Sequence, residues 1–295
     1  MTEQHTDREI KQAVVDRYGQ RARSALESVG ADAASADACC GPAADTAESG
    51  APQTLQFVEL DASDASGEAC GPDGCAIDVT DATAASSSFG AALYDAEEIG
   101  DVPEAAQLAA AGCGNPVAIA EMKRGEAVLD LGSGGGIDCF LAAKQVGDEG
   151  EVWGLDMTPD MIQLARHNAE QVEATNVRFR LGEIEDMPFE DGHFDVVISN
   201  CVINLSTDKP RVFSEAFRVL APGGRLKVSD IVLTGQAVND EHRKLDDWAA
   251  CVAGALPVDE YLGGIREAGF VDVTAEYEDS ENGVVSAYVS ARRPA

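Results

Sequence analysis

From residue 127 to residue 230, short apolar runs alternate with longer segments of helical spacing, and this alternation constrains the fold more than any other feature. The apolar runs are AVLDL (127–131), EVWGLD (151–156), VRFRL (177–181), FDVVIS (194–199) and RLKVSD (225–230). The clearest helical patterns are MIQLARHNAEQV (161–172) and RVFSEAFRVLA (211–221), the second of which runs into the stop signal PGG. Such alternation predicts a doubly wound α/β fold with a mostly parallel sheet and right-handed crossovers.

The N-terminal part of the chain has a weaker pattern. Residues 8 to 30 have helical spacing, with four residues on one side: Ile10, Val14, Tyr18 and Ala22. Residues 31 to 88 are rich in Ala, Ser, Asp and Gly, which predicts mostly irregular structure, with LQFVEL (55–60) as a weak strand candidate.

The C-terminal part is predicted to extend the sheet. Two more helical stretches follow residue 235, and then VDVTAEYE (271–278) and GVVSAYVSARR (283–293) are predicted to close the sheet as a hairpin with one antiparallel strand. The chain therefore divides into a cysteine-containing, partly irregular N-terminal segment (1–89), an α/β core (90–235) and an α+β extension (236–295) that is expected to complete the sheet and an acceptor site.

The charge of the chain excludes some partners. Acidic residues outnumber basic ones by 53 to 21, which gives a formal net charge of −32 at pH 7. A surface this acidic repels nucleic acid and anionic membranes, so neither is expected as a partner. We interpret the excess as a halophilic surface, since concentrated salt screens most of the self-repulsion. The alternative is an acidic docking surface for a basic partner.

The N-terminal sequence MTEQHTDREIKQ lacks the apolar core of a signal peptide, and no window reaches the roughly 18 apolar residues of a membrane helix. The expected location is therefore the cytoplasm, and a monomer is the default expectation. The eight cysteines are then interpreted as thiols or ligands rather than structural disulfides; they lie at positions 39, 40, 70, 75, 113, 139, 201 and 251.

A glycine-rich loop, VLDLGSGGGID, follows the first predicted core strand and opens a helix, with glycines at positions 132, 134, 135 and 136. Its pattern is G-x-G-x-G, whereas the dinucleotide fingerprint is G-x-G-x-x-G. Glycine lets the backbone turn tightly and approach a ligand closely. Asp156 ends the next predicted strand, where its carboxylate can accept hydrogen bonds from ribose hydroxyls. Folds that bind NAD share both features.

Three further features favour S-adenosylmethionine as the cofactor. Asp130 precedes the first loop glycine by two residues, where it can orient the loop and a cationic amino-acid group. LGEIEDMPF (181–189) places acidic residues where an adenine edge would lie, and the hairpin closes the chain. This ensemble resembles the class I S-adenosylmethionine-dependent methyltransferases over residues 90 to 295. The resemblance implies a seven-stranded, Rossmann-like sheet.

The resemblance also implies which residues hold the cofactor. Loop residues are expected on its methionine side: Gly132, Ser133, Gly134 and Gly136. Asp156 and Met157 are expected to meet the ribose and adenine, and Glu183 and Ile184 to contact the adenine. Asn200, which follows the fourth predicted strand, completes the expected cofactor site.

The cysteines indicate the acceptor. Ligands bind outside the carboxyl ends of parallel strands, and Cys201 lies directly past one such end. Cys251 lies in WAACVAGALP after the fifth strand, and Cys113 lies in AGCGNP before the first. Thiols from three separated segments can converge on one soft atom. A lone cysteine is more simply a small core hydrophobe, and this is the role expected for Cys139, inside the helix after the glycine loop.

Three segments resemble the arsenite methyltransferases: AAGCGNPVAIAEMKRGEAVLDLGSGGGIDCFLAAKQVG, SNCVINLSTDKPRVFSEAFRVLAPGGRLKVSDIVL and WAACVAGALPVDEYL. The resemblance implies that Cys201 and Cys251 bind trivalent arsenic and that Cys113 joins in binding and redox turnover. A fourth, N-terminal cysteine takes part in that family, and Cys40 of the Cys39–Cys40 pair is the best candidate here.

The other N-terminal cysteines leave two alternatives open. Cys70 and Cys75, in ACGPDGC, could capture arsenite and pass it inward. Alternatively, the four N-terminal cysteines could hold a structural zinc ion, although the adjacent Cys39 and Cys40 are too close together to form one of the ligand pairs typical of such sites.

The implied reaction is methylation of arsenite, with methylarsenite as a further substrate whose acceptance stays open. Arsenite exchanges hydroxyls for thiolates, and its lone pair attacks the sulfonium methyl group. Proximity and alignment carry most of the catalysis, and no general base is required at arsenic. The product arsenic is formally pentavalent, so turnover is expected to require a thiol-reducing co-substrate, either thioredoxin or a low-molecular-weight thiol.

Two rival functions share parts of this pattern. A methyltransferase acting on a carbon or oxygen acceptor, such as a quinone or sterol, would leave Cys113, Cys201 and Cys251 without a role. A metalloid-sequestering protein would bind arsenite without methyl transfer, but the intact glycine loop and Asp156 argue against it. The number of methyl groups added and the acceptance of antimonite are not determined by the sequence.

Overall fold

The computed structural model describes residues 6–37, 93–234, 254–278, 280 and 283–295. Within these ranges eight strands form one sheet, and seven of them follow the order β3-β2-β1-β4-β5-β8-β7. The strands are β1 (Ala127–Leu131), β2 (Glu151–Asp156), β3 (Val177–Leu181), β4 (Phe194–Asn200), β5 (Leu220–Leu233), β6 (Leu256–Pro257), β7 (Val271–Tyr277) and β8 (Val284–Arg292).

The pairing of the strands confirms the predicted doubly wound, mostly parallel arrangement. β1 pairs in parallel with both β2 and β4, β2 with β3, and β4 with β5. β8 is antiparallel to both β5 and β7, which confirms the predicted closing hairpin. The order reverses at β1, so the crevice beside its carboxyl end is the expected ligand site of such a sheet.

The sheet extends beyond the prediction in two details. The sheet has eight strands rather than seven, because the short β6 pairs in parallel with the end of β5 through Val232 and Leu233. The fifth strand is also longer than RLKVSD, since β8 supplies backbone partners from Arg225 to Leu233. The two-residue β6 has no local sequence signal, because it depends on a partner strand that lies distant in the chain.

The helices predicted at 161–172 and 211–221 begin and end within two residues of those limits, whereas the helix predicted at 8–30 continues to Asp37. The helices are α1 (Asp7–Asp37), α2 (Ala96–Ile99), α3 (Glu104–Ala109), α4 (Pro116–Ile119), α5 (Ile137–Val146), α6 (Pro159–Gln171), α7 (Lys209–Val219) and α8 (Val258–Glu267), with a 3₁₀ turn at Ile203–Leu205. Polar side chains start two of them: Asn115 accepts from the Ala118 amide of α4 at 3.0 Å, and Asp208 from the Arg211 amide of α7 at 3.1 Å. LQFVEL and the first helical stretch after residue 235 lie outside the described residues.

Apolar side chains cover both faces of the sheet. In β1, Leu129 and Leu131 pack in the cluster that contains Phe213 of α7, whereas Val128 packs on the other side with Phe140 of α5. This alternation follows from the two-residue period of a strand. The inner strands are therefore buried on both faces, as parallel sheets require.

The N-terminal helix α1 packs against the α/β core. Ala22 and Ala25 of α1 form a buried cluster with Met161 and Leu164 of α6 and Ala109 of α3. Ile10 and Val14 of the predicted apolar side are also buried. Across the described residues, no helix is both long and apolar enough to cross a membrane.

Candidate active site

A cavity of about 920 Å³, including its open mouth, lies at the carboxyl ends of β1, β2 and β4. Most of the residues predicted at the cofactor line it: Gly132, Ser133, Gly134, Asp156, Met157, Ile184 and Asn200. Cys201 also lines it. The cavity is also lined by residues that were not predicted at the cofactor. They include Lys11, Val14, Tyr18, Tyr94, Asp138 and Glu185.

The glycine loop turns sharply between β1 and α5. The Gly132 and Ser133 amides both donate to the Leu155 carbonyl, at 2.7 and 3.0 Å, which holds the loop against β2. Gly132 and Gly134 have φ values of 68° and 51°, in the left-handed region that favours glycine. A β-carbon on Gly134 would have no neighbour within 4 Å, so its missing side chain leaves open space at the cavity.

Gly136 has a different role from the one predicted. It is not among the residues that line the cavity. It begins α5 with φ 95°, and a β-carbon there would lie 2.8 Å from Phe179 Cζ and 2.9 Å from Phe140 Cε2. The structure therefore requires glycine at this position for packing and for the positive φ.

Asp156 ends β2 at the cavity, as predicted. One of its carboxylate oxygens accepts from the Gly134 amide at 3.0 Å and the other from the Thr158 amide at 2.8 Å. Burial raises the pKa of this carboxyl group above its usual value, and the two amide bonds act in the opposite direction. Each oxygen keeps a lone pair, so the group can still accept from ligand hydroxyls.

Of the two residues after β3 that were predicted to contact the adenine, Ile184 and Glu183, only Ile184 lines the cavity. Glu185 lines it rather than Glu183. Lys11 of α1 donates to Glu183 at 2.5 Å and lies 3.5 Å from Glu185. The N-terminal helix thus forms one wall of the cavity, to which Tyr18 also contributes.

Asp130, predicted at the cofactor, lies behind the cavity wall. It is 1% exposed and does not line the cavity, and its carboxylate accepts from the Cys139 thiol at 3.3 Å. Cys139 is fully buried in the core, as predicted. The carboxylate that reaches the cavity is Asp138, which accepts from the Tyr94 hydroxyl at 2.8 Å and from the Asn200 amide at 3.2 Å.

These buried carboxylates form an acidic wall beside the glycine loop. Burial raises the pKa of Asp138 to about 6, although the hydrogen bonds from Tyr94 and Asn200 act to lower it. Burial, reinforced by the charge of Asp138, raises the pKa of Asp130 well above its usual range. A ligand that carries positive charge near Asp138 would relieve this unfavourable burial of like charges.

Asn200 connects the cavity to the cysteine loop. Its Oδ1 accepts from the Cys113 and Gly114 amides at 3.0 and 3.3 Å. Its Nδ2 donates to the Gly114 carbonyl at 2.7 Å and lies 3.0 Å from the Tyr94 hydroxyl, besides its bond to Asp138. This amide therefore serves the site by holding the loop that contains Cys113.

Cys113 lies beside Cys201, which lines the cavity, although Cys113 itself is not among the lining residues. The sulfur atoms of Cys113 and Cys201 and a carboxylate oxygen of Asp230 all lie within 4.8 Å of one another, and all three residues are buried. Cys201 has φ 60°, and its amide donates to the Ser229 carbonyl at 2.7 Å, which turns the chain at the end of β4. Neither thiol forms a disulfide. The predicted convergence of these two thiols is observed.

Asp230, in β5, was not predicted in the site. It is fully buried, and its Oδ2 accepts from the Tyr261 hydroxyl of α8 at 3.1 Å. Burial raises the pKa of Asp230 to about 7, although this hydrogen bond and the charge of Lys209 act to lower it. No motif marked Asp230, because it lies within a strand and reaches the thiols only through the pairing of β4 with β5.

Several predicted residues lie outside the described part of the chain: Cys251, Cys40 and the alternatives Cys39, Cys70 and Cys75. Of the four histidines, His167 lies within 3.1 Å of Gln171, and His193 lies 3.0 Å from Glu151. Neither of these two lines the cavity, as expected, and His5 and His242 lie outside the described residues.

The donor set of the cavity fits S-adenosylmethionine. Asp156 offers acceptors for ribose hydroxyls, Met157 and Ile184 offer apolar contact for an adenine ring, and Asp138 offers negative charge for an amino group or a sulfonium. Together with the sheet order and the G-x-G-x-G loop, these residues define a class I S-adenosylmethionine-dependent methyltransferase.

Comparisons with known proteins identify the family. A methyltransferase-domain family model matches residues 122–273, about half of the chain. An arsenite methyltransferase of Halobacterium salinarum is 46% identical over 76% of this chain and 60% of its own length. An arsenite methyltransferase of Aquipseudomonas alcaligenes is 42% identical over 49% of this chain and 44% of its own length. The crystal structure of an arsenic(III) S-adenosylmethionine methyltransferase from Chlamydomonas reinhardtii has a TM-score of 0.54 and 36% identity, over 70% of this chain and 72% of that one.

The chain therefore belongs to the arsenite methyltransferase family. It spans 60% and 44% of the lengths of the two curated relatives.

The two glycines should respond differently to substitution. Gly136→Ala should lower the free energy of unfolding by about 2 kcal/mol or more, because overpacking against the phenylalanines costs about 1–3 kcal/mol and the positive φ adds about 1 kcal/mol. Gly134→Ala carries only the backbone cost of about 1 kcal/mol and should instead weaken cofactor binding. Urea unfolding and calorimetric titration with S-adenosylmethionine, both at constant salt, measure the two effects. Equal destabilisation would contradict the assigned roles.

Asp230→Asn should stabilise the protein increasingly as pH rises. Below about pH 4 both the folded and the unfolded chain hold the Asp230 proton, so the carboxyl group contributes no pH dependence there. Between about pH 4 and pH 7 the unfolded chain ionises while the folded chain stays protonated, so the wild type loses stability that the variant keeps. The gap in unfolding free energy should grow by up to roughly 4 kcal/mol and level off above pH 7. A gap that does not change with pH would show that Asp230 ionises normally.

Proposed function

We propose that this protein transfers a methyl group from S-adenosylmethionine to trivalent arsenic, supplied as arsenite and held by cysteine thiolates. The observation that carries the proposal is the convergence of Cys113 and Cys201, from separate segments, with Cys201 lining the same cavity as the glycine loop. Arsenic(III) prefers such soft sulfur ligands. Cys251, which lies outside the described residues, is the proposed third ligand.

The cofactor would be held by the residues that line the cavity. Asp156 would accept from the ribose hydroxyls, Ile184 and Met157 would contact the adenine, and Asp138 would face the positively charged end. When bound, S-adenosylmethionine supplies a methyl group on a positively charged sulfur, which the arsenic lone pair can take. The acidic wall at Asp138 favours a cation over a neutral ligand in this cavity.

The protein's own contribution is to position and shield the reacting atoms. Asn200 holds the Cys113 loop through two accepted hydrogen bonds, and the turn at Cys201 directs that residue to the cavity. Because the acceptor uses a lone pair, no group has to remove a proton from arsenic. The two described histidines lie away from the cavity, consistent with chemistry of this kind. Holding the reactants in line can supply up to roughly 7–11 kcal/mol.

Turnover is proposed to require a thiol reductant. Methylation leaves arsenic formally pentavalent, and neighbouring thiols can return it to the trivalent state by forming a disulfide. Thioredoxin or a low-molecular-weight thiol would then reduce that disulfide. Cys40 is the proposed N-terminal participant, in the segment 1–89 that precedes the core (90–235) and the extension (236–295).

The setting of the reaction is also a proposal. Cys113, Cys139 and Cys201 are thiols rather than disulfides, which suits a reducing cytoplasm. The net charge of −32 suits concentrated salt and does not hinder arsenite, which is neutral at pH 7. We therefore propose a monomeric, cytoplasmic enzyme that detoxifies arsenite, and that accepts neither nucleic acid nor membranes as partners.

Cysteine substitutions test the reaction. The purified full-length protein, incubated in high salt with arsenite, S-adenosylmethionine and a thiol reductant, should yield methylated arsenic by speciation analysis. Cys201→Ser should abolish the product, and Cys113→Ser should lower its rate at least tenfold, because each removes a thiolate ligand. Without the reductant, the wild type should stop after about one turnover.

Cys139→Ser serves as the matched control, since this buried side chain lies in the core, does not line the cavity and can still donate to Asp130 as a hydroxyl. It should retain the wild-type rate. Cofactor binding, measured by calorimetry in every variant, separates a lost arsenic ligand from a misfolded site. If the wild type binds S-adenosylmethionine but forms no methylated arsenic, the proposed function is wrong.

A further inference from the structure

Asp230 brings a hard oxygen ligand to the two thiols. The three residues come from the loop before α4, the corner after β4 and the middle of β5, and their ligand atoms lie within 4.8 Å of one another. All three residues are at most 6% exposed. Arsenic bound by thiolates makes no use of a carboxylate, so the proposed reaction leaves Asp230 without a role.

The donor set of two thiolates and one carboxylate suits a different class of ligand. Zn²⁺ is a borderline-soft cation that accepts both cysteine sulfur and aspartate oxygen, usually in tetrahedral geometry. Zn–S bonds of about 2.3 Å and Zn–O bonds of about 2.1 Å place tetrahedral ligand atoms roughly 3.5–3.8 Å apart. The observed separations, none above 4.8 Å, require only small side-chain rotations to reach this geometry.

The carboxylate is held as a metal ligand would be. The Tyr261 hydroxyl donates to Oδ2 at 3.1 Å, and the Ile231 amide donates to Oδ1 at 3.0 Å. Each oxygen keeps a further lone pair directed elsewhere. Hydrogen bonds of this kind orient ligating carboxylates in metal sites, and the loss of such a partner typically lowers metal affinity 10–100-fold.

We propose that Cys113, Cys201 and Asp230 form a binding site for a thiophilic divalent cation of the Zn²⁺ class. The cation replaces the two thiol protons, which pass to water, and a water molecule or a further side chain fills its fourth position. Because the same two thiols are the proposed arsenite ligands, the cation and arsenite bind in competition. Only this competition rests on the proposed function, and binding of the cation does not.

Cobalt(II) provides a direct probe, because thiolate ligation gives a charge-transfer band in the near ultraviolet and tetrahedral geometry gives strong bands in the visible. Cys251 and the N-terminal thiols could bind the same ion, so the full-length chain with Cys39, Cys40, Cys70, Cys75 and Cys251 all replaced by Ser is the background for every variant. In this background one Co²⁺ per chain should bind with both signatures, and Zn²⁺ should displace it.

Variants in the same background test each ligand. Cys113→Ser and Cys201→Ser should each reduce the charge-transfer band by about half, since each removes one of two thiolates. Asp230→Asn should raise the Co²⁺ dissociation constant about tenfold or more, and Tyr261→Phe should raise it about 10–100-fold. Cys139→Ser, whose thiol lies in the core away from the site, should bind Co²⁺ like the background protein.

The outcomes separate the two proposals. A background protein without the thiolate band, or an unchanged dissociation constant in Asp230→Asn, would overturn the cation site. Asp230→Asn is expected to fold, since it replaces a destabilising buried carboxyl group, and thermal unfolding verifies this before titration. If Co²⁺ binds as described but the wild type forms no methylated arsenic, the cation site stands and the proposed function fails. If arsenite is methylated and no Co²⁺ binds, the proposed function stands and the cation site fails.

Discussion

The side-chain amide of Asn200 is the interaction on which the rest of the site depends. Asn200 ends β4, lines the cavity and accepts from the Cys113 and Gly114 amides. It also bonds to Asp138 and Tyr94. The glycines on each side of Cys113 make this approach possible. A β-carbon on Gly112 would lie 2.3 Å from Asn200 Nδ2, and one on Gly114 would lie 2.0 Å from Ser229 Oγ. The sequence AGCGNP thus allows a backbone loop to pack directly against the end of the sheet.

A second constraint is the burial of negative charge in an already acidic chain. Asp130, Asp138 and Asp156 surround the glycine loop at 9% exposure or less, and Asp230 lies beside the thiols. Such groups cost free energy unless hydrogen bonds or cations compensate them. Each of the four accepts at least one hydrogen bond within the described residues. Two of them, Asp138 and Asp230, lie where a positively charged ligand is proposed, and such a ligand would compensate for their burial.

Much of the fold could be predicted because it depends on local patterns. β1, β2 and β3 match their predicted limits, and the closing hairpin is in place. Most of the residues expected at the cofactor line the cavity, and two of the expected carboxylates do not. Asp138 reaches the cavity where Asp130 was expected, and Glu185 where Glu183 was expected. Such errors arise because a turn of the chain decides which of two nearby carboxylates faces the ligand, and spacing alone does not reveal the turn.

The sequence by itself determined the class of fold, the cofactor loop and the thiols at Cys113 and Cys201, because strand period, glycine spacing and residue chemistry are local properties. Only the tertiary structure decided which groups surround those thiols. Asp230 reaches the thiols through the pairing of β4 with β5, and Tyr261 reaches Asp230 through the packing of α8. Lys11 and Tyr18 line the neighbouring cavity from a helix that lies far away in the chain. These contacts join residues with no sequence relation to one another, so only the folded chain brings them together.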